Sequence, residues 1–557
     1  MTKNASELSS PFRRTTTAKV SLVFVYVSLY VVFNQAIPSY ALSSTNIPLD
    51  SPIYDYIEKL SGLDLIDSDI RGLRPYSRAE VARLLQEAKN NHSRLSARKE
   101  QLADEVIKRI EELIPREVFL YDKPSEALFF DINPVAYARA RYVHLDGQPR
   151  SYNRDIFIPG DQSAFGFIGG DLRPGDAGIG HESGTEGTPL LENNQGVIYR
   201  PGNNGDIRFA TEGYITNKAS FLIEPYLLMT PQEKELRLGK GYLKLGGGGL
   251  ELEVGRDENW FGPGRRGALT LSNNAQNFDQ VKLSSPEPLD VAWVKNYLGL
   301  FKYSLIFSRF DKTSSGSDLR QPWFIGAKLA LKPKPWWEIG INFVRMEGGP
   351  GFSGSSSVQD TIFGGGYSNH NATTAGIDLR FRIPWLANTE LYAEYVGSDS
   401  ALFWPIVESY IAGIYIPSLM ASGRDDFRFE FFYGSQKLYT DFKFPLGDVY
   451  NNMPFGNSQG GGTIEFYTRY SHWFSPRSIL ALELWRTDRG DEGRVIVNAT
   501  MQTVERLAAG RASLSLPLYG DIDVELSYGF EKITGFNLVQ GINQINQLST
   551  IELRYRY

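Results

Sequence analysis

No cysteine occurs in the 557 residues, which excludes a disulfide scaffold and every thiolate-ligated metal centre. Histidine is scarce too. The 5 present, His92, His144, His181, His370 and His472, stand at no helical or hairpin spacing from one another, so no imidazole metal site is legible. An excess of positive charge is missing: 58 Lys plus Arg face 64 Asp plus Glu, a formal charge of -6. That balance gives no attraction to a polyanion, and nucleic acid is set aside as a partner. Beyond residue 33 no apolar run approaches the ~20 residues of a membrane-spanning helix. If the mature chain lies in a membrane, it must do so as a barrel.

Aromatic residues and glycine are abundant: 33 Phe, 30 Tyr, 9 Trp and 54 Gly. This composition fits one large β architecture. At the N-terminus Lys3, Arg13, Arg14 and Lys19 precede an apolar stretch from Val20 to Phe33, and Ser39-Tyr40-Ala41 offers small residues at the −3 and −1 positions. Residues 1–41 read as a Sec-type signal peptide, which predicts export from the cytoplasm of a Gram-negative cell.

Residues 42–125 carry helical spacing and are expected to form a small bundle at the periplasmic end. Ser51-Pro52 opens a first helix with Ile53, Ile57 and Leu60 on one face and Gly62 at its end. Ser77-Arg78-Ala79-Glu80 is a capping box that opens a second. A third carries Leu102, Val106, Ile110 and Leu113 and is expected to stop at Pro115.

From about residue 126 to residue 557 the period becomes 2. Ile377, Leu379, Phe381 and Ile383 alternate with Asp378, Arg380 and Arg382, and Leu250, Leu252 and Val254 with Glu251 and Glu253. We count about eighteen such segments, two of them running from 289 to 309 and from 495 to 514. Short connections alternate with long ones, among them 146–205, 257–277, 348–372 and 435–461. A soluble sandwich has no reason to segregate loop length by parity, whereas an outer-membrane barrel does. Trp336, Trp337, Trp385 and Trp473 fall beside the short turns, where an interfacial aromatic girdle belongs. The fold class predicted is an all-β antiparallel outer-membrane barrel of about 18 strands with a small N-terminal helical bundle. Its last strand alternates to a terminal Tyr557, the form recognised by the barrel-assembly machinery.

Two motif matches fail their context. Gly456-Asn457-Ser458-Gln459-Gly460 has nucleophile-elbow spacing but lies in a Gly- and Asn-rich loop. Gly262-Pro263-Gly264-Arg265-Arg266-Gly267 has dinucleotide-loop spacing but no helix follows it. The loop 146–205 is acidic, with Asp161, Asp171, Asp176, Glu182 and Glu186, yet lacks the carboxylate spacing of a calcium loop. No catalytic residue, metal or cofactor is expected.

Trp260-Phe261-Gly262-Pro263-Gly264, followed by Leu269 to Leu271 and then Ser272-Asn273-Asn274-Ala275, resembles the signature of the Wzi family of capsule-assembly outer-membrane proteins. The layout is similar as well: signal peptide, helical bundle, eighteen-stranded barrel. The resemblance implies a non-enzymatic, lectin-like protein that attaches exported capsular or extracellular polysaccharide to the cell surface. Its other partner would be outer-membrane lipid. By their chemistry, Trp260, Phe261, Tyr367 and Tyr439 offer faces for stacking on sugar C–H surfaces, and the amides of Asn273 and Asn274 donate and accept toward hydroxyls. The same residues equally suit a loop folded into the lumen and packed on its wall. The alternative function is a porin for sugars or small solutes. Against it stand the mixed charges of the inward faces and a bundle placed to block one end.

Overall fold

The computed structural model describes residues 42–556 apart from 150, 159–177, 186, 248, 311–312, 316–317, 349–370, 398–399, 402–403, 406–407, 436–437, 440–443, 445–446, 491–494 and 497–502. The signal-peptide segment, Tyr367 and Tyr557 lie outside the described residues.

Eighteen antiparallel strands close into a barrel, each paired with its sequence neighbour. The ring is sealed where Phe130–Asp146 meets Asn543–Tyr555, with Ala138 opposite Tyr555 and Asp146 opposite Gln547. The predicted alternation is what closes it. Asp378, Arg380, Arg382, Glu251 and Glu253 point inward and are buried, while Ile377, Leu252, Val254, Ile551 and Leu553 are exposed on the outer wall. Apolar residues outside and ionic ones inside invert a soluble protein, as an outer-membrane barrel requires.

Two expected strands are shorter than predicted. The segment from 289 to 309 holds a helix, Ala292–Leu298, before the strand Leu300–Arg309. Val291 and Val294 are buried against Phe301 and Tyr303, residues of the strand's outward parity, so this helix lies outside the barrel wall. Gly299 then turns the chain with φ of 75°, and a Cβ there would meet the Lys332 carbonyl oxygen at 1.8 Å. From 495 to 514, only Glu505–Tyr519 belongs to the barrel. Val495–Ile496 instead pairs with the hairpin Ser151–Ile158 and Gly178–Thr185 of the first long loop.

Among the described residues, four α-helices precede the barrel: Ile53–Gly62, Arg78–Asn90, Ala97–Leu113 and Pro115–Asp122. Ser77 caps the second, accepting from Glu80 N–H at 3.1 Å. Pro115 does not merely end the third helix. It occupies the first turn of a fourth, where its missing N–H costs nothing. Ile57, Leu60, Leu84, Val106 and Ile110 form the bundle core together with Trp473 from the barrel. Trp473 therefore departs from the expected girdle. It is 3% exposed, packs on Tyr56, and donates from Nε1 to Asp426 at 2.7 Å. Trp336 and Trp385 are exposed beside their turns as expected.

The bundle sits at the short-turn end. Ser43 N–H donates to Asn217 O at 2.9 Å, and Asn388 donates to Gly62 O at 3.2 Å. Tyr56 donates to Pro476 O at 2.8 Å. Lys59, fully buried, donates to the Pro417 and Gly423 carbonyls and pairs with Asp426 at 2.6 Å. Removing one member of such a pair strands the other without a counter-charge, at a cost of about 3 kcal/mol. Lys59→Met should therefore lower the thermal unfolding midpoint of the purified protein by several degrees, and adding Asp426→Asn should recover part of the loss. Equal midpoints for wild type and Lys59→Met would show that the pair does not hold the bundle.

Candidate functional site

Beyond the end of the first helix at Gly62, the chain does something its composition does not announce: Leu73 and Arg74 form a two-residue strand inside the lumen. They pair antiparallel with the motif residues, Leu73 opposite Phe261 and Arg74 opposite Trp260. Gly262 N–H donates to Gly72 O at 2.9 Å, and Phe261 N–H to Leu271 O at 2.8 Å. The motif loop is thus folded inward and stitched to the N-terminal segment.

Each motif residue has a structural task. Trp260 is 5% exposed and Phe261 0%. Trp260 donates from Nε1 to Gly262 O at 3.1 Å. Gly262 has φ of 146°, and a Cβ there would fall 2.6 Å from Glu394 Oε2 and 2.9 Å from Ala268 Cβ. No larger residue fits that approach. Glu394, buried on the inner wall, accepts from Leu269 N–H at 2.8 Å and from Thr270 N–H and hydroxyl at 3.0 and 2.8 Å. Glu430 does the same for the next stretch, accepting from Arg265 N–H at 2.7 Å and Arg266 N–H at 2.9 Å.

Ser272, Asn273 and Asn274 join three loops. Ser272 donates to Gly456 O at 2.5 Å, and Asn274 to Pro454 O at 3.0 Å. The carbonyls of Asn273 and Asn274 accept from Gln195 and Gly196 N–H at 2.9 and 3.0 Å. Ala275 is buried against Phe278 and its neighbours. Tyr439 is 3% exposed. Its hydroxyl donates to Leu269 O at 2.5 Å and accepts from Asn457 N–H at 2.7 Å. Of the residues considered for sugar stacking, Trp260, Phe261 and Tyr439 thus have their faces covered, and the side chains of Asn273 and Asn274 are buried. The inward-folded alternative describes them. The physical reason is the supply of carboxylates on the wall, which satisfy the loop's backbone N–H groups without water.

Ion pairs extend the same clamp. Arg266 pairs with Glu192 at 2.9 Å and Glu465 at 3.0 Å, with its guanidinium 4.2 Å from the Trp485 ring. Arg265 pairs with Asp55 of the first helix. Burial alone would raise the Asp55 carboxyl, but Arg265 and Arg469 outweigh it and hold it below its ordinary range. Glu258 accepts from Leu49 N–H at 3.1 Å, Gln195 at 2.5 Å and Lys240 at 3.3 Å. Burial raises the Glu258 carboxyl above its usual value, with Lys240 acting in the opposite direction. Sequence reasoning missed Leu73, Arg74, Glu394 and Glu430. The two glutamates were legible only as inward-facing carboxylates of apolar-outward strands.

The chain's layout has solved counterparts. The Escherichia coli outer-membrane protein Wzi, described as a carbohydrate-binding β-barrel involved in group 1 capsule assembly, superposes with a TM-score of 0.64 at 16% identity. That match covers 91% of this chain and 99% of the other. Pseudomonas aeruginosa OprD matches with a TM-score of 0.40 at 9% identity, over 77% of this chain and 97% of the other. No curated protein is significantly similar in sequence.

Removing Glu394 takes away three hydrogen bonds to a charged acceptor, each contributing about 1.5–3 kcal/mol. Glu394→Ala should release the motif loop and raise ion conductance in planar bilayers above the wild-type level. Unchanged conductance in a correctly folded variant would show that Glu394 does not hold the loop in place. Residues 175–548 match the model of the capsule assembly protein Wzi, and with the eighteen-stranded barrel this makes the chain a member of the Wzi family of outer-membrane proteins.

Proposed function

We propose that this protein binds exported capsular or extracellular polysaccharide at the cell surface and attaches it there, without turnover. One observation carries the reading: the lumen is occupied by the chain itself. Among the described residues, 42–77 occupy it from the short-turn end, and 188–199, 258–277 and 453–462 occupy it from the long-loop end as a floor across the lumen. A porin needs a path through the barrel, which disfavours the solute-channel alternative. Family membership and the carbohydrate-binding description of E. coli Wzi support the same direction.

Because the motif aromatics are covered, contact falls to other residues of that floor. Asn451 and Asn452 are exposed on one turn, and Asn451 reaches Gln276 at 2.5 Å. Neutral amides such as these donate and accept toward sugar hydroxyls. Tyr367 is proposed as a further stacking contact on sequence grounds alone. Each contact is weak, and a repeating polymer would strengthen them through multivalency. The absence of turnover is supported by the placement of Ser458, which is 4% exposed in a loop, while His92 lies in the bundle and His472 pairs with Asp425 at the opposite end. The reading includes a 1–41 export signal, a 42–125 helical domain facing the periplasm, and a 126–557 barrel. Lipid would contact the outer wall, and the barrel-assembly machinery would recognise the last strand through Tyr557.

Alanine at Asn451, Asn452 and Gln276 together should leave membrane insertion intact and shift surface glycan into the culture medium. Full retention of glycan by that variant, with no affinity of the purified barrel for the polymer, would overturn the proposal.

A further inference from the structure

On the outer wall, close to the rim at the long-loop end, three neighbouring strands carry outward cations. Arg486 of Ser478–Arg489 stands directly opposite Ala508 of Glu505–Tyr519, and Ala508 stands directly opposite Lys532 of Ile522–Thr534. Neighbouring strands lie about 4.8 Å apart, so the two cations flank one alanine with their backbones about 10 Å from each other. Arg506 holds the next outward position of the middle strand, about 7 Å nearer the rim. All three cations are exposed, as is Ala508, while the alternate residues Glu505, Leu507, Glu531 and Ile533 are buried inside. Further from the rim the same face turns apolar: Leu482 and Leu484 on the first strand and Leu526, Tyr528 and Phe530 on the third are exposed.

These cations are short of counter-charge. Arg486 pairs with Asp488 at 3.1 Å, and its side chain remains 63% exposed. Asp488 also stands opposite Arg506, so one carboxylate serves this group of three. Among the described residues, the side chains of Arg506 and Lys532 make no hydrogen bond or ion pair. The next outward carboxylate, Asp146, lies on the row of Phe530, two strands further round the wall. Arg256 shows the usual arrangement: outward at the same end of Leu250–Asp257, it has both carboxylate oxygens of Asp279 at 2.8 Å. Like charges gathered at the edge of a hydrocarbon layer repel one another, and an anion set among them relieves the repulsion.

We propose that Arg486, Arg506 and Lys532 seat the phosphates of a phosphorylated glycolipid of the outer leaflet, of the lipid A type, with its acyl chains against Leu484, Tyr528 and Phe530. The two guanidinium groups present planar forks to phosphate oxygens, and the Lys532 ammonium adds a point charge. Position and charge together select this occupant. The cations lie at the outward rim, directly above exposed apolar side chains, and a lipid that carries phosphate above acyl chains matches both parts of the face. The inference rests on the barrel's place in the outer membrane and not on polysaccharide attachment.

The test is native mass spectrometry of the full, folded barrel in nonionic detergent, titrated with bisphosphorylated lipid A, monophosphorylated lipid A and phosphatidylglycerol. Wild type should bind bisphosphorylated lipid A saturably and more tightly than either of the others. Arg506→Gln combined with Lys532→Gln should weaken that binding about tenfold, and added salt should weaken it in the wild type. Arg256→Gln removes an outward cation that Asp279 already neutralises, and it should leave the affinity unchanged. Equal affinity of wild type for phosphatidylglycerol, wild-type affinity in the folded double variant, or an equal loss in Arg256→Gln overturns the proposal. The heat-dependent electrophoretic shift of the barrel reports folding, and Arg486→Gln, on a different strand, supplies the test if the double variant does not fold.

Discussion

The structure depends on one electrostatic requirement: the charges that alternation turns into the lumen have to find counter-charges or hydrogen-bond donors there. The N-terminal segment supplies many of them. Asp50 meets Arg139 at 2.6 Å, and Asp69 meets Lys332 at 2.6 Å. Arg71 reaches Glu58 at 2.7 Å and also pairs with Glu390. Thr45 donates to Glu212 at 2.6 Å, and Asn46 donates to Asp257 at 2.6 Å. The contacts fall on strands around the ring, so the segment is held from many sides. Burying ions costs several kcal/mol each before pairing, which makes the lumen a poor source of net stability and a strict selector of geometry. A shift of register by one residue would turn these ions toward lipid and the apolar residues toward one another.

Carboxylates on the wall do a second kind of work. Glu394 and Glu430 accept backbone N–H groups of a segment that has no regular ladder of its own, and Glu258, just past its strand, does so for Leu49. They take the place of the water that would otherwise solvate a loop, which is how 258–277 can lie in the lumen with its glycines while the N–H groups of Arg265, Arg266, Leu269 and Thr270 keep acceptors. The bundle, the N-terminal segment and the inward loops are therefore one network, and the barrel wall is its frame.

Much of this was legible as period and punctuation. The alternation of Asp378, Arg380 and Arg382 with isoleucine, leucine and phenylalanine placed the strand and both its faces, and Ser77 with Glu80 placed a helix start. Loop parity distinguished a barrel from a sandwich. What stayed hidden depended on contacts between distant residues. Leu73 and Arg74 are too few to show a period, and their strand exists only because Trp260 and Phe261 lie opposite. Trp473 sits where a girdle tryptophan would, and only the bundle core reveals that it faces inward. The helix at Ala292–Leu298 was absorbed into a strand although Val291 and Val294 stand three apart and Gly299 follows, a spacing and a stop that fit a helix. The site was half legible: the motif segment was located, while the direction in which it folds was set by wall glutamates that no local pattern marks.

That same helix breaks the axial evenness of the barrel. Most of the short connections are tight turns, but here Leu289, Val291 and Val294 cover Phe301 and Tyr303, which elsewhere on the wall would touch acyl chains. In their place the helix offers Tyr297, 83% exposed, and Leu298, 46% exposed, at the level where amphipathic rings settle among head groups. In the plane of the bilayer the molecule thus has a marked side, with its apolar band thickened on one flank. Tilt and sideways packing are referred to that flank rather than being equal in all directions.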